Sequence, residues 1–140
     1  MKINYVCRMA KNRAVALGLI TAMICWASYV PAWAEKISLT ESAHRSSIKI
    51  KAGDVLEITL AGNPTTGYIW ERVAGDDKIL SQQGDYNYIP ASSLIGSGGK
   101  FVFSFQVTDV GKTKLKLIYH RTFEKKVAPV KTWEVMVIVN

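Results

Sequence analysis

Phe101, Phe103, Phe105 and Val107 alternate with Val102, Ser104, Gln106 and Thr108, and this period of two confines the chain more than any other of its features. Alternation sends successive side chains to opposite faces of a strand, so a chain that repeats it must bury one face of a sheet. Trp133, Val135, Val137 and Val139 alternate likewise with Glu134, Met136 and Ile138, as do Leu56, Ile58 and Leu60 with Val55, Glu57 and Thr59. Further strands are expected at Ser47–Lys51, Tyr68–Val73, Ile79–Gln83 and Lys114–His120. Turn signals at Ala52-Gly53-Asp54, Ala74-Gly75-Asp76-Asp77 and Asp109-Val110-Gly111 punctuate them.

After Glu35 no stretch holds an apolar period of 3.6 residues through three turns. About seven or eight short strands without intervening helices imply an all-β fold, an immunoglobulin-like antiparallel β-sandwich. The Cys-Trp-Cys pattern of antibody domains is absent, which leaves the strand order open. Trp70 and Trp133 lie inside strand patterns and are expected in the core.

Residues 1–34 read as a secretory signal and are set aside from the fold. Lys2, Arg8, Lys11 and Arg13 form a positive region, Ala14–Trp26 an apolar stretch, and Ala32-Trp33-Ala34 an A-x-A cleavage site. The apolar stretch falls short of the ~20 residues a membrane span needs and ends near Pro31, which argues against a retained anchor. Cleavage would make residues 35–140 the functional domain, with no membrane attachment. Cys7 and Cys25 both lie in the leader, so the exported chain would have no disulfide, thiol nucleophile or thiolate metal site. Ala22-Met23-Ile24 before Cys25 lacks the small residue that lipid-attachment sites carry beside the cysteine. An exported domain without disulfides suits a bacterial periplasm, or secretion by a bacterium.

The formal charge of +7 is inflated by the leader, which holds four of the eighteen Lys and Arg; set against eleven Asp and Glu, residues 35–140 carry +3. Lys112, Lys114 and Lys116 alternate with Thr113, Leu115 and Leu117, the pattern of a strand with one solvated face. A nucleic-acid stripe would cluster basic residues among exposed aromatics, so no nucleic-acid partner is expected.

A sandwich gathers its connections at its ends, where rigid strands present loops for recognition. Three loops exceed what a turn requires. Gly62-Asn63-Pro64-Thr65-Thr66-Gly67-Tyr68 joins two strands; Pro64 fixes its own φ and pushes Asn63 out of the helical region, and Gly67 can supply a positive φ. The hydroxyls of Thr65 and Thr66 can bond to the loop's own backbone or to a partner. Gly96-Ser97-Gly98-Gly99 carries so little side chain that another backbone could approach and pair with it, and it equally suits a flexible turn. A strand follows and not a helix, which argues against a phosphate cradle. His120–Val130 carries Arg121, Thr122 and Phe123, with Lys125 and Lys126 beyond. Arginine beside an exposed aromatic is a hot-spot composition, whereas Phe123 folded back on the sandwich would be structural. Tyr86 and Tyr88 are open to either role, flanking an interface or covering the core.

An asparagine-proline-threonine-threonine-glycine run with an aromatic after it, then a GxGG loop, then an arginine-aromatic loop before the final strand, resembles the three-loop signature of the chagasin family of cysteine-peptidase inhibitors. The resemblance implies a reversible, competitive inhibitor of papain-like cysteine peptidases; such a wedge needs only a monomer, and no cofactor or metal is expected. It implies that Asn63, Pro64, Thr65, Thr66, Gly67 and Tyr68 enter the peptidase cleft with Thr65 nearest the catalytic cysteine and histidine. Gly96, Ser97, Gly98 and Gly99 would lie along the substrate groove through backbone hydrogen bonds. Phe123 would pack on an aromatic beyond the catalytic histidine while Arg121 anchors the third loop. The family's third loop usually reads Arg-Pro-Trp or Arg-Pro-Phe, where this chain has Arg121-Thr122-Phe123, so less pre-organisation is expected there.

Two other classes of function fit the sequence less well. An enzyme needs a nucleophile, base and orienter together, and His44 and His120, the two histidines, belong to no such pattern. A binding module for a glycan or an envelope protein would explain a sandwich with exposed loops, but would leave the first loop's motif a coincidence.

Overall fold

The computed structural model describes residues 33–140; the leader assigned to residues 1–34 falls almost wholly outside them. Among the described residues nine strands form: β1 (Lys36–Leu39), β2 (Ser47–Ile50), β3 (Val55–Gly62), β4 (Tyr68–Ala74), β5 (Leu80–Gln82), β6 (Asn87–Pro90), β7 (Gly99–Val107), β8 (Gly111–Arg121) and β9 (Lys131–Val139). One sheet runs β1-β3-β7-β5, with β6 also on β7, and the other runs β2-β9-β8-β4. The all-β sandwich expected from the alternation is therefore present.

The alternating residues supply the core. Leu56, Ile58 and Leu60 of β3 and Phe101, Phe103, Phe105 and Val107 of β7 are buried, as are Leu115 and Leu117 of β8 and Trp133, Val135, Val137 and Val139 of β9. Trp70 and Trp133 are each 2% exposed, as their strand positions led us to expect. Truncating an aromatic at such depth costs about 3–5 kcal/mol, so these residues set the stability of the platform. On β8 the lysines do face solvent, and Lys114 pairs with Glu134 at 3.1 Å.

The sheets are mixed where a wholly antiparallel sandwich was expected. β1 pairs parallel with β3, and β2 parallel with β9, whereas the other ladders are antiparallel. The cause is a chain that changes sheets at its start: β1 edges one sheet, a short 3-10 turn (Glu41–Ala43) follows, and β2 edges the other. Two hydrogen bonds to β9 hold the crossover. The Trp133 indole N–H donates to the Thr40 carbonyl at 3.2 Å, and His44 Nδ1 accepts from the Glu134 N–H at 3.1 Å.

β5 and β6 lie in succession along one edge of β7, opposite Phe105–Val107 and Gly99–Val102. The interruption between them contains Gly84 at φ +69°. Tyr86 and Tyr88 resolve here: their rings pack on Phe101 at 4.8 and 5.2 Å, so both cover the core.

Candidate functional site: three loops at one end

β3 ends at Gly62 and β7 begins at Gly99, and these two glycines are register partners. β4 begins at Tyr68 and β8 ends at Arg121, also partners. The two antiparallel registers thus bring the three candidate loops to one end of the sandwich. Neither position at the first junction tolerates a side chain. A Cβ on Gly62 would stand 2.7 Å from the Phe101 ring, and one on Gly99 would stand 2.3 Å from the Ile89 carbonyl oxygen.

The first loop is a single 3-10 turn, Pro64–Thr66, built as its residue types dictate. Asn63 is extended at φ −139°, as a residue before proline must be, and its Oδ1 accepts from the Thr65 N–H at 3.1 Å and the Thr65 hydroxyl at 2.6 Å. The Thr66 hydroxyl donates to the Asn63 carbonyl at 2.6 Å. Both threonine hydroxyls therefore donate within the loop, Thr66 to its backbone and Thr65 to the Asn63 side chain. Gly67 closes the turn at φ +81°, in the left-handed region, its N–H donating to the Pro64 carbonyl at 3.0 Å.

Asn63 also joins this loop to its neighbours. Its Nδ2 donates to the Gly96 carbonyl at 2.9 Å, and its backbone N–H donates to the Tyr119 hydroxyl at 2.9 Å. The glycine loop is braced from behind by the Tyr88 hydroxyl, 3.3 Å from the Ser97 carbonyl, and the Ala91 N–H donates to the Gly98 carbonyl at 2.9 Å. It is an ordered hairpin connection in which Ser97 also bonds through its hydroxyl to the Ser92 carbonyl.

Arg121 ties the third loop to the first. Its guanidinium lies 4.4 Å from the centroid of the Tyr68 ring and 5.9 Å from that of Phe123, its Nε donates to the Thr66 carbonyl at 3.3 Å, and its Nη1 meets Glu124 Oε1 at 3.1 Å. Arginine stacked between aromatic faces gains about 0.5–1 kcal/mol per exposed contact. The Glu124 N–H donates to the Arg121 carbonyl at 3.1 Å and closes a four-residue turn with Thr122 in its second position. Phe123 is 69% exposed, so most of its ring is free, with one edge over Gly67.

Sequence reasoning missed Tyr119 and Glu124, and left the role of Tyr88 open. Tyr119 continues the buried face of Leu115 and Leu117 and stacks on Tyr68 at 5.3 Å, which reads as core; its hydroxyl reaches Asn63 only because β8 outruns the apolar layer. Tyrosine at the end of a buried alternation is the one available signal. His120 stays outside the loop network and pairs with Glu71 at 2.6 Å.

The depression among Tyr68, His120, Arg121 and Val127 encloses about 10 Å³, too little for a small substrate. Among the described residues, no group of three or more His, Cys, Asp or Glu is placed to hold a metal.

A β-sandwich that projects three loops from one end, with the first bonded to both others, has the build of a recognition scaffold. Residues 49–137 match the chagasin family peptidase inhibitor I42, and the chain belongs to that family. Amoebiasin-1 of Entamoeba histolytica is 36% identical to it over 87 residues, 61% of this chain and 82% of that protein. The solution structure of amebosin matches with a TM-score of 0.62 at 33% identity, over 76% of this chain and 98% of that one. A crystal structure of a cysteine protease inhibitor from Entamoeba histolytica shares the fold, with a TM-score of 0.66 at 23% identity over 77% and 98% of the two chains. The family is one of inhibitors and not of enzymes, in keeping with the missing catalytic constellation, and it does not favour the glycan or envelope module.

Proposed function

We propose that this protein is a reversible, competitive inhibitor of papain-like cysteine peptidases, and that its three loops wedge together into the active-site cleft. Family membership supports inhibition. The wedge rests on one observation: two carbonyls of the first loop, those of Asn63 and Pro64, are occupied from inside, and that of Thr66 is held by Arg121. The Asn63 carbonyl accepts from the Thr66 N–H and hydroxyl, and the Pro64 carbonyl from the Gly67 N–H. A thiolate needs a carbonyl carbon in line at near-contact distance, and carbonyls turned onto the protein's own donors are held in a fixed orientation out of that line while the loop fills the cleft. Asn63, Pro64, Thr65, Thr66, Gly67 and Tyr68 form the central prong, Gly96–Gly99 line the substrate groove, and Arg121, Thr122 and Phe123 make the outer contact. Hydrogen bonds that order the loops before binding reduce the cost of ordering them at the interface, about 0.5–1.5 kcal/mol per side chain.

On this reading the partner is a papain-like peptidase, and the protein is exported to the periplasm or medium of a bacterium after cleavage behind Ala34. It acts as a monomer without cofactor. The leader composition supports export, and a loop set confined to one end supports one-to-one binding. The test is binding to papain whose catalytic cysteine is replaced by alanine. A non-covalent wedge binds that variant within about tenfold of its affinity for the active enzyme, less than about 1.4 kcal/mol. Loss of binding, or an inhibitor cleaved during incubation with active papain, contradicts the mechanism.

A further inference from the structure

At the other end of β3 lies a buried carboxylate with no ion-pair partner among the described residues. Asp54 is 7% exposed. Its Oδ1 accepts from the Glu35 N–H at 3.1 Å and its Oδ2 from the Lys51 N–H at 3.0 Å. Among the described residues it forms no ion pair. A charge withdrawn from water calls for a partner of opposite sign, and two amide dipoles supply only part of that requirement.

Glu35 is the residue that cleavage behind Ala32-Trp33-Ala34 would make the first of the chain. It is fixed on both sides, with its N–H on Asp54 and its carbonyl accepting from the Val55 N–H at 2.9 Å. Trp33 is 85% exposed and Ala34 is exposed, so the bond to be cut lies at the surface. A cavity of about 160 Å³ adjoins the contact, lined among others by Lys49, Ile50, Asp54 and Asn140. It has room for water around a larger, charged nitrogen group.

We propose that Asp54 is the receptor for the α-ammonium group released at Glu35 by processing, and that the resulting ion pair locks β1 onto β3. Hydrolysis by a leader peptidase adds one water across the Ala34–Glu35 peptide bond: Ala34 leaves as a carboxylate and the Glu35 nitrogen becomes an amine. With an ordinary α-amino pKa of ~7.7–8.0 the amine takes up a proton at neutral pH, and pairing with a carboxylate favours that form. A hydrogen bond charged only at its acceptor thereby becomes one charged at both ends. The proposal rests on cleavage behind Ala34 and is independent of the peptidase partner, because β3 holds the two ends of the domain roughly 26 Å apart at ~3.3 Å per residue.

The experiment compares three forms of the domain: one starting at Glu35, one starting at Trp33, and one starting at Glu35 with an acetylated amino group. The free Glu35 form is expected to melt about 5 °C above the other two, which melt together. Asp54→Asn should abolish that difference, and all three wild-type forms should behave alike toward papain. Equal melting of the three wild-type forms overturns the ion pair, whether or not the Asp54→Asn domain folds. Mass spectrometry of the chain exported from its full-length gene tests the cleavage separately. A first residue other than Glu35 overturns the processing step, and Glu35 with equal melting overturns the receptor while leaving export standing.

Discussion

The side-chain amide of Asn63 donates to the carbonyl of Gly96 at 2.9 Å, joining two loops 33 residues apart in sequence. The same side chain's oxygen receives both the N–H and the hydroxyl of Thr65. One residue therefore sets the shape of the first loop and its distance from the second.

Replacing Asn63 by aspartate separates these roles. The oxygen that holds Thr65 is kept, while the donor to Gly96 is lost and a carboxylate faces a carbonyl. Inhibition should weaken about ten- to hundredfold, or about 1.4–2.8 kcal/mol. The melting temperature should fall by less than about 4 °C, since the contact is exposed. Inhibition constants and thermal melts of Asn63→Asp beside the parent measure the two effects.

Thr122 occupies the second position of the turn closed by Glu124 on Arg121, a position that proline suits. The Arg121–Glu124 pair at 3.1 Å staples the same turn and offsets part of the missing rigidity. Thr122→Pro is therefore expected to raise stability by about 0.4–1 kcal/mol and to lower the inhibition constant a few-fold. A variant that binds more weakly at higher stability would show that the third loop must adapt on binding.

Glu134 gives the pH dependence a defined sign. Its carboxyl is held below the usual carboxylate value, first by its hydrogen bond to Lys114 and further by the charges of Lys114, Lys116 and Arg45, against an opposing desolvation. With the folded value lowered, its contribution is present above the unfolded pKa and is lost as pH falls through the folded one. Glu134→Gln should melt slightly below the parent at neutral pH and with it in strong acid. About 1 M salt should erase the neutral-pH difference, because the pair is solvent-screened.

The residues show why the strands were legible and the bonding was not. Phe101–Val107 announces itself because one face is buried along its whole length, and Gly62-Asn63-Pro64 because proline and glycine dictate local dihedrals. β1 escaped notice because Lys36–Leu39 is four residues of half-exposed edge whose parallel pairing depends on a distant partner. β6 ends in Pro90, which demotes a strand to an edge. The three loops were visible as compositions, but Tyr119 beneath Asn63 and Arg121 between Tyr68 and Phe123 follow from the β3–β7 and β4–β8 registers. Register is a long-range property that no local pattern encodes.

The most direct measurement is a titration of residues 35–140 against papain, following hydrolysis of a fluorogenic peptide, with trypsin as control and Thr65→Arg beside the parent. The account predicts competitive, reversible loss of papain activity at nanomolar inhibitor and unaffected trypsin. It also predicts inhibition weakened by about two orders of magnitude or more in Thr65→Arg, roughly 3 kcal/mol, at an unchanged melting temperature. Full papain activity at micromolar inhibitor, or a Thr65→Arg domain that inhibits as well as the parent, would contradict it.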